Sequence, residues 1–367
     1  KRLPIAVSLA DTVATLAAAL AAAINAETSL LWTATAAAGV VTLTCRHKGT
    51  IGNLVDVRVN YWPDESTPAG LTVAIATPTP GATDPSLAAA LAAIVNDWYT
   101  DIVVGWTDGA NMALLEADLS RRYGAMSKLD AHAYTALSGS YSVATTWSST
   151  RNSPYVTTLP MSNGLLAPWV VAASLAGIAS RHLTDDPSRQ LGSLVLPGIL
   201  APKPVDQYID TEQNLMLGKG LSTWDALADG TVVLNRVVTN YTKSTLNVAD
   251  DAWLDIMVPK TASRIRYDWN TWASLSYPRH KLADDANPAI DNPDTSGVVV
   301  TPKTMLASWI GRCARYRDAG WIEDLEYSKA ASFFERDAND KNRLNGRQSF
   351  RIIGNLMVLA GSLEFAA

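Results

Sequence analysis

Four histidines, two cysteines and a scatter of carboxylate pairs are the residues of this chain best equipped for chemistry. His47, His132, His182 and His280 stand in the contexts RHKG, AHAY, RHLT and RHKL, and no two His or Cys lie at metal-ligand spacing. Neither an EF-hand nor a His-Glu-x-x-His pattern occurs. Cys45 and Cys313 sit in apolar surroundings, which predicts two buried free thiols in place of a disulfide. The acidic pairs Asp185-Asp186 and Asp284-Asp285 lie beside turn residues and read as solvated loops. Gly218-Lys219-Gly220 lacks the spacing and the following hydroxyl of a phosphate loop, and no glycine-rich fingerprint follows an expected strand. The residues therefore predict no catalytic site, no metal and no cofactor. What remains is arginine: Arg264 and Arg266 on one expected helix, and Arg312, Arg315 and Arg317 on another, with Arg312 and Arg315 three apart on one face.

The elements that carry these residues change character along the chain. Residues 1–82 read as a small α+β module: a strand over 2–8, a helix capped by Asp11 and running to 23, then strands over 40–44, 54–61 and 71–76. The Pro-Thr-Pro-Gly segment 78–81 marks a boundary. Helix and strand then alternate, with helices over 84–95, 110–123, 141–149 and 166–183 and strands over 101–106, 128–134 and 155–160. That rhythm implies right-handed crossovers and a mainly parallel sheet. A Pro-rich link at 197–204 ends it, and a hairpin over 224–239 turns at Asp229-Gly230.

With 367 residues the chain is long for one core, so two or three domains are expected. A net charge of −5 argues against a nucleic-acid binder, which usually presents a basic field. No apolar run reaches the ~18 residues of a membrane span. The opening KRLPIAV has neither Met nor a signal-peptide layout, which points to a missing upstream segment.

The last third, 250–367, is the most specific stretch. Pro259 starts one helix, with Ile265, Trp269 and Trp272 at helical spacing. Thr301-Pro302 starts a second, whose stripe is Met305, Trp309, Cys313 and Tyr316 and whose stop is Gly320. A long apolar run over 350–365 closes the chain as a strand, and such a strand must pair with its own sheet or with another molecule. The succession WLDI, RIRY, PRHKLADD, VTPK, Gly320-x-x-Glu323-Asp324 and ERDANDKNRLN resembles the C-terminal domain of Mu-like contractile-tail sheath proteins.

That resemblance implies an α/β multidomain subunit. Its parts are a peripheral α+β domain on the outer face (1–82), a central subtilisin-like, protease-inactive α/β core (83–245), and a C-terminal α+β domain with a terminal strand arm (246–367). The fold label invites a Ser/His/Asp search, yet none of the motifs that surround a subtilisin-type triad occurs, and Ser138-Gly139-Ser140 reads as a turn. The resemblance further implies six-fold stacked rings around a tail tube, with baseplate and tail terminator proteins as other partners, in a virion tail assembled in the host cytoplasm. Contraction would drive the tube through the host envelope. Phe350, Ile352, Leu356 and Val358 are the expected inter-subunit face of the arm, and Arg312 and Arg315 the expected seat on an acidic tube surface. Segments 78–81 and 242–250 are the expected hinges. The sheath of a contractile bacteriocin or secretion machine has the same architecture, and the competing class is an α/β hydrolase-like enzyme with an accessory β module.

Overall fold

The computed structural model describes residues 1–54, 57–61, 64–164 and 166–357. The chain divides into two compact units, one of residues 1–93 with 108–112, the other of 94–107 with 113 onward.

In the first unit, α1 (Val13–Ala26) is started by a capping box in which Thr12 and Thr15 each accept the other's backbone N–H. Asp11 braces that cap, accepting from Ser8 N at 2.7 Å and from the Thr15 hydroxyl. Ala17, Ala21 and Ile24 are buried against an antiparallel hairpin, β1 (Trp32–Ala37) and β2 (Val40–Cys45). Asn25 clips helix to hairpin through both the N–H and the C=O of Ala34. The hairpin turns on Ala38 and Gly39, both at positive φ, as a two-residue loop requires. The strands predicted over 2–8, 54–61 and 71–76 do not form among the described residues. Val7, Val57, Val59, Tyr61, Val73 and Ile75 are all at least 40% exposed, so their alternation is not buried against an apolar face among the described residues. Segment 78–81 is not slack either, because Asn53 bonds both the N–H and the C=O of Gly81. The helix predicted over 84–95 is shorter, α2 (Ala88–Ala93).

The second unit is built on a parallel sheet. β3 (Asp101–Val103) leads through α3 (Gly109–Arg122) to β4 (His132–Ser138), and α4 (Tyr141–Ser148) leads on to β5 (Val156–Met161). β5 is buried at every position, as expected of a strand covered on both faces. α5 (Pro168–Asp185), with Pro168 opening its first turn, packs Val171, Ala172, Leu175 and Ala179 into the core. A second, antiparallel sheet follows in the order β6-β8-β7, from β6 (Val195–Leu200), then α6 (Asp210–Leu217), β7 (Trp224–Ala226) and β8 (Thr231–Leu234). The predicted hairpin forms at Asp229-Gly230, with Gly230 at φ +83°. β3 ends three residues earlier than predicted. β4 begins four residues later, because Lys128, at φ +54°, closes a turn on Gly124 O.

The predicted hinge at 242–250 is tied down at both ends. Asn152 accepts from Thr242 N and Lys243 N and donates to Lys243 O, and Tyr241 Oη donates to Asp250 at 2.5 Å. Just outside it, Arg236 makes a bidentate pair with Asp255, both bonds 2.9 Å.

From there α7 (Met257–Ser276) begins, with Pro259 inside its first turn instead of at its first residue. β9 (Lys281–Leu282) pairs in parallel with β10 (Val299–Val300), the loop between them carrying the short α8 (Pro293–Ser296). α9 (Pro302–Asp318) starts at Thr301 as predicted, its hydroxyl accepting from Thr304 N, and Gly320 follows its end at φ +73°. α10 (Leu325–Ala331) and the antiparallel pair β11 (Phe333–Arg336) and β12 (Leu344–Arg347) complete the described chain. No helix among the described residues is long and apolar enough to cross a membrane.

Candidate functional site

The C-terminal helices hold an aromatic core. Trp269 meets Trp309 edge-on with ring centroids 5.2 Å apart, and Ile265, Cys313, Tyr316 and Ile322 are buried around them. Trp309 Nε1 donates to Ser332 Oγ at 3.0 Å, so the indole is buried without an orphaned donor. Cys313 is a buried free thiol, pushed up to about 12 by burial despite a hydrogen bond from Ser328. Cys45, also free, is only half-buried.

The two arginines singled out by spacing have different fates. Arg312 is largely covered and pairs with Asp268 of α7, which also accepts from Tyr316 Oη at 2.6 Å. Its guanidinium lies over the rings of Tyr316 and Trp272, at 5.5 and 5.9 Å. That is a strut between α7 and α9. Arg315 is exposed and forms no ion pair among the described residues. Asp268 is the partner sequence reasoning missed, since nothing in a sequence links positions 44 residues apart.

The predicted terminal strand is not formed over 350–357. Ile352 makes a single antiparallel bridge to Ile322, and the segment otherwise lies as extended chain on its own subunit. Phe350 packs 6.3 Å from Trp309, and Arg351 O accepts from Glu323 N. Asn355 is a latch: its Nδ2 donates to Ser188 O at 2.9 Å and its Oδ1 accepts from Gln190 N. Phe350 and Ile352 are half-buried and Leu356 is 72% exposed on this chain. Val358 lies outside the described residues.

One cleft of about 390 Å³ lies in this unit, at the amino ends of β3, β4 and β5, where Thr100, Asp101, Ala131, His132 and Tyr155 meet α7. Ligand sites of open α/β sheets lie at the opposite, carboxyl ends of the strands. Lys260 pairs with Asp101, which also accepts from Tyr134 Oη. Burial pushes the Lys260 ammonium down, opposed by Asp101. Arg266 lies 3.2 Å from Asp130 while donating to Tyr123 O and Gly124 O. Burial raises the Asp130 carboxyl, opposed by Arg266. His132 is fully buried with Nε2 2.8 Å from Thr157 Oγ1, and burial holds its pKa well below the ordinary value, so the ring is neutral. The Lys260–Asp101 and Arg266–Asp130 pairs thus fasten α7 to the sheet region, and no nucleophile–base–acid array is assembled among the described residues. No group of three metal-ligating side chains occurs among the described residues.

No family model matches the chain. Over 360 residues it is 29% identical to a Mu-like prophage FluMu tail sheath protein of Haemophilus influenzae, spanning 98% of this chain and 73% of that protein. The chain is thus similar to a Mu-like tail sheath protein along nearly all of its own length. Among solved structures, a sheath tail protein from Listeria innocua superposes with a TM-score of 0.50 at 14% identity, over 89% of this chain and 70% of that one. A chain of the anti-feeding prophage baseplate, determined by cryo-EM with six-fold symmetry, gives 0.51 at 11% identity, over 78% and 76%. At such identities these two establish the mixed α/β multidomain fold.

Proposed function

We propose that this chain is the sheath subunit of a contractile, Mu-like phage or prophage tail. Subunits stack as six-fold rings around the tail tube, between baseplate and tail terminator proteins, and contraction drives the tube through the host envelope. The observation that carries this is the likeness, over 98% of this chain and 73% of the relative, to a Mu-like prophage tail sheath protein. In this reading 1–82 forms the peripheral domain on the outer face, 83–245 the subtilisin-like core and 246–367 the C-terminal domain facing the tube. The protein is a virion component, assembled in the host cytoplasm.

The segment after Asn355 is the proposed arm that joins neighbouring subunits by strand addition, in which main-chain hydrogen bonds give affinity and alternate side-chain pockets give specificity. Phe350, Ile352 and Asn355 hold its root, and Leu356 and Val358 belong to its proposed inter-subunit face. Arg315 is the proposed tube contact, three residues along α9 from the Arg312–Asp268 strut. Negative-stain electron microscopy of the purified chain, with and without its tail tube, tests the proposal. Hollow cylinders with six-fold end views are expected. Monodisperse particles, with no coating of a saturating amount of tube, would overturn it.

A further inference from the structure

The cleft at the amino ends of the parallel strands has a charge imbalance. Its lining holds four cations, Lys128, Lys260, Arg264 and Arg266, against two carboxylates, Asp101 and Asp130. Both carboxylates are already engaged, with Lys260 and Arg266. Lys128 and Arg264 are left: both are exposed, neither forms an ion pair among the described residues, and Arg264 rests over the ring of Trp321. Two aromatic rings stand at the same opening, Trp98 and Tyr267, each 44% exposed with centroids 5.2 Å apart. Exposed Trp, Tyr and Arg around a concave surface is the composition of a protein contact, and the surplus of positive charge in a chain of net charge −5 specifies an acidic partner.

The same chain carries a matching segment. The loop between β9 and β10 presents Asp291 and Asp294, three residues apart, both exposed and neither in an ion pair among the described residues. Its start is anchored to its own subunit, where Asp285 accepts from Lys303 N and Asp284 pairs with Arg336, while Asp291 and Asp294 stay exposed. It follows the C-terminal end of α7, while Lys260 and Arg264 sit on the first turns. At 1.5 Å per residue, Lys260 and Ser276 are ~24 Å apart along the axis, and no hydrogen bond or ion pair joins Asp291 or Asp294 to Lys128 or Arg264 among the described residues.

We infer that the 283–296 loop of one copy docks, through Asp291 and Asp294, on the Lys128–Arg264 rim of this cleft in a second copy. The contact is heterologous, one patch on a different patch, and such contacts propagate into rings or helical arrays instead of stopping at a dimer. It rests on the self-assembling reading above and names a surface for it apart from the terminal arm.

A charge swap on the full chain tests it. Lys128→Glu with Arg264→Glu, and separately Asp291→Lys with Asp294→Lys, should each weaken self-association about tenfold in sedimentation velocity at low salt, where surface charges are least screened. An equimolar mixture of the two variants should regain mixed contacts, because each supplies the complement of the other. Thermal melts of all variants check that folding is intact. Cysteines at Lys128 in one preparation and Asp291 in another should form a mixed disulfide in assembled particles. Assembly unaffected by either reversal, with no mixed disulfide, overturns this contact and leaves the sheath reading standing. No self-association under any condition sinks both.

Discussion

Arg312 and Arg315 look equivalent in the sequence, and charge reversal separates them. Arg312→Glu removes a charge-assisted hydrogen bond to Asp268, worth ~1.5–3 kcal/mol, and sets two carboxylates side by side. The repulsion is moderated because Asp268 keeps 31% of its side-chain exposure and both groups can turn towards solvent. The ring contacts with Trp272 and Tyr316 are lost as well. Together these come to about 3 kcal/mol, and at ~2 °C per kcal/mol for a unit of this size the melting temperature should fall by about 6 °C. Arg315→Glu touches no partner among the described residues and should stay within ~0.5 kcal/mol, about 1 °C. Circular dichroism melts of the two single variants decide it. Equal small shifts would refute the claim that Arg312 is structural. Loss of tube-bound assembly in Arg315→Glu, with an unchanged melt, is the result expected of a contact residue.

Other perturbations follow from the same geometry. Truncation after Met357 should leave a folded chain that no longer assembles. Truncation before Phe350 should also destabilise the fold, because it removes the Phe350–Trp309 packing and the Asn355 latch; melts and electron microscopy of both read this out. Lys260→Met should cost ~3 kcal/mol in urea unfolding by leaving Asp101 uncompensated, and adding Asp101→Asn should recover most of it. The raised carboxyl of Asp130 means that the folded chain holds this proton more tightly than the unfolded one, whose value is near 3.8. Its contribution to stability is therefore complete below that pH and is lost as pH rises through the folded value. Relative to Asp130→Asn, the parent chain should become progressively less stable as pH is raised from 3.5 to 7 in urea titrations, and a constant difference would contradict the assignment. Trp309→Ala should cost about 3–5 kcal/mol by emptying the centre of the C-terminal aromatic core.

Local chemistry was enough to read α9 almost to the residue, because a hydroxyl N-cap, a proline in the first turn and a glycine after the last turn act within a few residues of one another. The β7–β8 turn at Asp229-Gly230 and the helix–strand alternation were legible for the same reason. The ordered motifs of the last third pointed to the sheath family before any fold was in hand. What the tertiary structure decided were properties of pairs far apart in the chain. Residues 54–61 and 71–76 alternate like strands, but a strand exists only where a second strand accepts its hydrogen bonds. Segment 242–250 has the composition of a hinge, but Asn152 fastens it. The terminal run 350–357 is apolar enough for a strand, yet Ser188, Gln190 and Ile322 hold it as a single extended root. Arg312 became a strut because Asp268 lies across the helix pair, and Lys128 with Arg264 became a charged rim because Asp101 and Asp130 engage the other two cations. Backbone preferences and caps are short-range and therefore written in neighbouring letters. Partnership is long-range, and only folding chooses it.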